Sequence, residues 1–532
     1  MRHSLSLVAV LTATALVSVP MTAFAGGYEF PSLGTRPLGR GGASFARSDD
    51  PLALLYDPAN LASLPGPQLL FNATLAFEDA CYTRSSAPGT GVATNGDGVP
   101  NTVDDVTLGS SGTKFAGENF ANVPWPTVCN DAIPTVMPTL LYGMKLTPEL
   151  GIAGGLLVPS AIGFSRWGDT KDGIISSGGT DVPIPSRYQL LESKVIFLQP
   201  TIGVGYAPHP RLKVGLALQW GFAVVDFLSN TATFGNSMLE AVQADVRTHM
   251  VTSDLFIPGI NVSTHWVPHD NVDVMLGFRW QDAVRASGHI DFTTNTYGSG
   301  SETEPGNVPE KTRIHDVTFK APQPWSLRMG LRYADRIKPR AVDSAGASAA
   351  SGRVEDSMAN ERWDVEFDAQ YEHSSSLYQY VIGVPSMSTV GVTANTGGNV
   401  TTNPLPVPST NLVPHNWQDQ ISLRLGGDYN ILPGFLATRL GVSFETSGVD
   451  PSYMQLDFWP VQRFGVHAGA TIRLGRFDLS VAYAHFFQET ITTSPSEAKL
   501  PQLAAVPPPA VTNAGTYMSN MDVFSLGLTW NL

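Results

Sequence analysis

Two stretches of this chain confine their charged residues to the row that alternates with apolar ones. In WSLRMGLRY, Arg328 and Arg332 fall between Leu327, Met329, Leu331 and Tyr333; in RWDVEFDAQY, Asp364, Glu366 and Asp368 alternate with Trp363, Val365 and Phe367. If the apolar row of each stretch faces one environment, the charged row faces another. Neighbouring strands would then bring opposite charges together as cross-strand ion pairs. The alternative is that one arginine receives a ligand carboxylate. A second acidic group lies in NGDGVPNTVDD, where Asp97, Asn101, Asp104 and Asp105 surround Gly98. Their spacing is part of a calcium loop without the full EF-hand pattern, and a solvated acidic turn is the simpler alternative. Cys81 and Cys129 lack metal-ligand spacing and in an exported chain are read as one disulfide. The 11 histidines are scattered, and no nucleophile elbow is found. Neither an enzyme nor a cofactor is expected.

What positions these residues follows from compartment and composition. Arg2 and His3 precede an apolar core over residues 5–19, and Ala23-Phe24-Ala25 gives a small-x-small cleavage pattern. Residues 1–25 therefore read as an export signal. Beyond it, no uninterrupted apolar run is long enough to span a bilayer as a helix. Only 15% of residues are charged, and Gly numbers 51, which suits neither disorder nor a helical protein. The net charge is -14 with no basic run, so nucleic acid is excluded as a partner.

Period two dominates the rest. Phe464, Val466, Ala468, Ala470, Ile472 and Leu474 alternate with small or polar residues, as do Val272, Val274, Leu276, Phe278 and Trp280. A soluble sandwich also alternates. Strands of about ten residues or more, and tryptophans such as Trp220, Trp280, Trp363 and Trp530 near strand ends, suit a membrane crossing better. About fourteen strands are expected, near 68–78, 136–147, 149–160, 187–207, 211–230, 252–267, 270–293, 313–334, 360–375, 415–431, 434–447, 462–475, 476–490 and 519–532. Tight turns alternate with long connections, so the expected fold is all-β: a transmembrane antiparallel β-barrel with both termini on the short-turn side. Residues 335–359 break this rule, as an insertion or as a slip in the strand count. The segment SMLEAVQADV (237–246) reads as a helix, with Ser237 as cap and Glu240 completing a capping box. Before the first strand, YDPANLASLPG combines turn residues with buried-type leucines; on its own it reads as an Asx turn opening a short helix.

The phrase GTRPLGRGGASFARSDDPLALLYDPANLASL (34–64) resembles the start of the FadL-type long-chain fatty acid transporters of bacterial outer membranes. QPTIGVGYAPHPRLKVGLALQW (199–220), PWSLRMGLRY, RWDVEFDAQYEHSS, WQDQISLRLGGDYNI (417–431) and TRLGVSFETSGVD (438–450) resemble its hairpins in order. The resemblance implies an N-terminal hatch over residues 26–66 inside a barrel over 67–532. The hatch motif falls on Asp57, Pro58 and Ala59, with Asp57 where the family has Asn. By the same resemblance Tyr28 and Phe30 lie near bound ligand. The implied function is passive uptake of hydrophobic small molecules, fatty acids or hydrocarbons, by a monomer in contact with outer-membrane lipid. The implied exit is sideways through the barrel wall. Gly154, Gly155 and Pro159 are the expected place for it, because Gly and Pro interrupt ladder pairing. A structural or adhesive barrel acting through its long loops is the alternative.

Overall fold

Along Ser326–Arg336, Leu327, Met329, Leu331 and Tyr333 are exposed, while Ser326, Arg328 and Arg332 are buried. A soluble protein would hide the apolar row. The inverted arrangement suits a sheet closed on itself with lipid outside and a filled lumen inside. The computed structural model describes residues 30, 32–47, 49–85, 125–158, 163–168, 173–177, 180–232, 235–236, 239–240, 245–294, 310–338, 356–396, 399–500 and 511–532.

Fourteen antiparallel strands form the wall, each paired with its neighbour in sequence. They are β1 (Gln68–Arg84), β2 (Thr135–Lys145), β3 (Leu150–Leu157), β4 (Glu192–His209), β5 (Leu212–Ala232), β6 (Asp245–His269), β7 (Val272–Gln281 and Val284–Thr294) and β8 (Glu310–Ala321 and Ser326–Arg336). There follow β9 (Glu361–Glu372 and Gln379–Gly383), β10 (Thr410–Pro414 and Gln420–Leu432), β11 (Leu436–Glu445), β12 (Arg463–Leu474), β13 (Phe477–Gln488) and β14 (Gly515–Asn531). The ladder from Gln68↔Asn531 to Arg84↔Gly515 closes β1 onto β14, so the first and last strands pair with each other. The expected count holds through residues 335–359: Ser326–Arg336 of β8 pairs directly with Glu361–Glu372 of β9. That connection is an insertion on the short-turn side, ending in a short helix α3 (Ser357–Asn360).

Four adjacent strands, β7 to β10, are each interrupted once. In β8 the interruption carries Pro322 and Pro324, which remove two ladder donors. The interruptions change which residues face inward. In β7 Arg279 and Gln281 are buried below the break, and Val284, Ala286, Ile290 and Phe292 above it. In β8 Arg328 and Arg332 are buried on one side of the break and Val317, Phe319 and Ala321 on the other. The lumen is therefore polar toward the short turns and apolar toward the long loops.

Of the helix expected over 237–246, residues 237, 238 and 241–244 lie outside the described residues. Its described residues belong to strands: Leu239–Glu240 pairs with Gly235–Asn236, and Asp245 and Val246 extend the β5–β6 ladder opposite Ala232 and Thr231. Cross-strand pairing prolongs this hairpin and overrides the local capping signal.

Inside the barrel the chain folds as α1 (Thr35–Gly39), α2 (Ala53–Tyr56) and a 3-10 helix (Pro58–Ser63). Leu38, Leu54, Leu61 and Leu64 have no exposed surface and share one apolar cluster with Leu70, Leu141, Met275 and Phe486 of the wall. The hatch thus buries its leucines against the barrel interior.

Candidate functional site

Asp57 sits between α2 and the 3-10 helix, yet its carboxylate caps neither. It turns to the wall. Oδ1 accepts from Ser263 Oγ at 2.6 Å, and Oδ2 lies 2.7 Å from His265 Nδ1. Ser263 Oγ in turn accepts the Ala59 N–H at 2.8 Å. Asn261 Nδ2 and Arg328 Nη1 both donate to the Leu55 carbonyl, at 2.8 and 3.0 Å, and Lys213 Nζ donates to Asn60 Oδ1 at 2.8 Å. Backbone contact is equally close: a methyl on Gly215 of β5 would lie 2.0 Å from the Ala59 nitrogen. Only glycine lets this turn lie against the strand.

A second set of contacts holds the arch RGGASFAR. Asp368 Oδ2 accepts the Ser44 and Phe45 N–H groups at 2.7 and 2.9 Å, and Glu366 Oε1 accepts that of Ala46 at 2.6 Å. Arg40 reaches Asp364 at 2.8 Å and Glu366 at 3.1 Å; Arg47 reaches Asp428 at 2.6 Å. Arg332 bridges Asp364 at 2.6 Å, Asp273 at 3.3 Å and Glu361. Every one of these side chains is nearly inaccessible to solvent, so each charge depends on its partner. Asp49 of the hatch is held below the ordinary carboxylate range. Burial opposes its ionisation, but the Arg47 and Arg36 guanidiniums and the Ser357 hydroxyl outweigh burial.

Among the described residues, pairing is irregular where β2, β3 and β4 meet. The β2–β3 ladder runs from Lys145↔Gly151 to Leu140↔Leu156, and the last described β3–β4 pair is Leu157↔Gln199. Farther up, Thr135 to Thr139 pair with β1, and no second partner is found among the described residues. Pairing resumes where Gly163–Arg166 joins β4 and Asn130 bridges Trp167. Gly155 takes φ +152, and a methyl there would lie 2.1 Å from the Leu140 carbonyl oxygen. Leu157 and Val158, fully buried, belong to the same apolar cluster as the hatch leucines, and Phe30 packs against that cluster.

Toward the long loops lies a cavity of about 120 Å³. Tyr188, Phe227, Phe319, Tyr380, Leu412 and Asp457 are among the residues that line it. The Phe319 and Tyr380 rings are 5.2 Å apart. Phe319 and Tyr380 also belong to a larger apolar cluster with Phe197, Ile257, Val284 and Trp417. An apolar solute would find aromatic surface at the mouth, an apolar upper lumen, and a leucine-rich hatch beside the irregular interval.

No family model and no curated protein matches the sequence. Solved structures do. A FadL homologue of Pseudomonas aeruginosa is 14% identical with a TM-score of 0.65, covering 95% of this chain and 100% of that one. The P. putida toluene transporter TodX is 12% identical with a TM-score of 0.55, covering 94% and 99%. The Ralstonia pickettii toluene transporter TbuX is 11% identical with a TM-score of 0.51, covering 93% and 98%. This chain has the FadL-type barrel fold.

Within this outer-membrane type of barrel, the residues singled out from sequence fall as follows. Asp57, Pro58 and Ala59 lie against β5 and β6, and Asp57 bonds the wall. Arg332 pairs with Asp364, but Glu366 and Asp368 hold hatch backbone N–H groups, and Arg328 holds the Leu55 carbonyl with Phe45 5.5 Å beneath its guanidinium. The charged rows thus join wall to hatch as well as strand to strand. Gly154 and Gly155 lie in β3 beside the irregular interval. Cys81 and Cys129 form a disulfide between β1 and the short strand Val128–Cys129. Tyr28, Pro159, the acidic group Asp97, Asn101, Asp104 and Asp105, and residues 1–25 lie outside the described residues. Sequence reasoning missed Ser263, His265 and Asp428. Ser263 and His265 were visible only as polar residues inside an alternating strand.

Proposed function

We propose that this chain is a FadL-type channel of the bacterial outer membrane, acting as a monomer for passive uptake of hydrophobic compounds. The observation that carries the proposal is the apolar route just described, in a lumen otherwise filled by a hatch. Such a lumen suits solutes that gain from leaving water, and it opposes ions. Asp57-Pro58-Ala59 anchors the hatch. Phe30, Leu157 and Val158 form the inner end of the route, and the interval above Leu157 is the sideways exit into lipid. Fatty acids and hydrocarbons are the substrate classes; two of the similar solved structures are toluene transporters.

The test is uptake of labelled toluene and labelled oleate by cells lacking their own transporters. Uptake of either that depends on this chain supports the proposal. Failure of both with a folded, surface-exposed protein favours an adhesive barrel. In planar bilayers the intact protein should conduct little, and a large steady pore would overturn the channel assignment in favour of a general porin.

A further inference from the structure

Between the hatch and the apolar upper lumen, β4, β5 and β7 bring three glutamine carboxamides together. Gln219 of β5 and Gln281 of β7 are both ladder partners of Gly259 in β6. Gly259 has no side chain to separate them: a methyl there would lie 2.8 Å from Gln219 Oε1. Gln199 of β4 reaches across and donates from Nε2 to Gln281 Oε1 at 2.9 Å, while Arg279 Nη2 donates to Gln199 Oε1 at 3.2 Å. All four side chains are at least 95% buried. Yet Gln219 Oε1, Gln219 Nε2 and Gln281 Nε2 have no hydrogen-bond partner among the described residues. Buried polar atoms are nearly always paired, so this cluster calls for something that pairs them.

Its position matters as much as its chemistry. One ladder step toward the short turns, Asn261 holds the Leu55 carbonyl of the hatch. On the other side lie Phe197, Ala223, Ile257 and Val284, all apolar. Gln199 is also the last described partner of β3 before the irregular interval, opposite Leu157. A solute moving from the upper lumen toward that interval passes the carboxamides.

We propose that Gln219 and Gln281, braced by Gln199 and Arg279, form a head-group station for apolar molecules bearing one uncharged hydroxyl. The proposal rests on the uptake function above and adds a third substrate class beside the fatty acids and hydrocarbons named there. A hydroxyl accepts from Gln219 Nε2 and donates to Gln219 Oε1, and this match holds for either orientation of the amide. A carboxylate pairs with the donors only and sets its charge against the carboxamide oxygen. A hydrocarbon pairs with nothing. A site built to hydrogen-bond a hydroxyl discriminates against the analogue that lacks it.

The experiment compares toluene, 4-methylphenol and 4-methylbenzoate, three probes that share one ring and differ in head group. Their affinities are measured by calorimetry on the full chain in nanodiscs at pH 7. The expected order places 4-methylphenol about tenfold tighter than toluene, with 4-methylbenzoate weakest. Gln219→Leu should abolish the tenfold preference, and retention of the compact form on unheated gels shows that the variant is folded. Gly259→Ala, which crowds Gln219 Oε1, should reduce the same preference. Equal affinities for toluene and 4-methylphenol in the unaltered protein would overturn the station and leave the carboxamides paired by ordered water only. A preference that survives Gln219→Leu, or tightest binding of 4-methylbenzoate, would also overturn it. Absence of binding by all three probes, together with absent uptake, would instead strike the uptake function itself.

Discussion

Asp57 of the hatch and His265 of β6 meet at 2.7 Å, and on the far side of the same ring Asp273 lies 3.0 Å away. Both ring nitrogens therefore face carboxylate oxygens, and Asp273 continues the chain to Arg332 at 3.3 Å. Asn, the residue expected at this position from the resemblance, would bring no charge to the ring. Asp57→Ala and His265→Ala should each loosen the hatch, since each removes the 2.7 Å contact and leaves one buried polar atom of the other side chain unsatisfied. Open probability in planar bilayers should rise about tenfold for each, equivalent to about 1.4 kcal/mol. The double variant should cost clearly less than the sum. Strict additivity would show that the two side chains do not act on each other.

The hatch also neutralises the lumen. Arg40 and Arg47 face Asp364, Glu366 and Asp428, and hatch N–H groups face Asp368. Deleting residues 26–64 should raise conductance, and the resulting pore should be cation-selective because these carboxylates then line water. Reversal potentials in a KCl gradient decide this. An anion-selective or non-selective pore would show that the wall acids do not dominate the lumen.

The strands were legible because lipid outside and a filled lumen inside impose period two on every crossing, and Leu327 to Tyr333 show it plainly. What the alternation hides is a change of side. From Val272 to Phe292 most even-numbered residues are apolar, yet Leu276 and Trp280 face lipid while Ile290 and Phe292 face the lumen. The interruption at Asp282 and Ala283 shifts the facing parity, so one apolar row serves both as membrane surface and as lining of the upper lumen. The partners of Glu366 and Asp368 were illegible for another reason. They are backbone N–H groups of an arch more than 300 residues away, and backbone groups leave no mark in residue types. The DPAN turn was legible as a turn ahead of the first strand, but its bond to His265 depends on a register that only the folded barrel defines.

Gly155 should tolerate no side chain. Its φ of +152 is unfavourable for other residues, and a methyl meets the Leu140 carbonyl oxygen at 2.1 Å. Gly155→Ala should destabilise the barrel by about 1–3 kcal/mol, read as a lower temperature for loss of the compact form on unheated gels. If β3 yields by moving away from β2, toluene uptake should change in the same variant while the equivalent substitution at Gly163, with open space around it, changes neither. Unaltered stability and uptake in Gly155→Ala would remove β3 from any role in the exit.

Acid should unseat the hatch from one identifiable side. Asp49 titrates below the ordinary carboxylate range in the folded protein because Arg47 and Arg36 outweigh burial. Its folded pKa is lower than its unfolded one, near 3.9. The stabilisation it supplies is therefore complete above about pH 4 and is lost as pH falls below that. Closed-state conductance should stay flat from pH 8 to about pH 4 and rise in more acid solution. Asp49→Asn should raise conductance across the whole range and weaken the acid limb, because the charge that acid would remove is already gone. Opening between pH 5 and 7 in the unaltered protein would point to histidine rather than to this carboxylate.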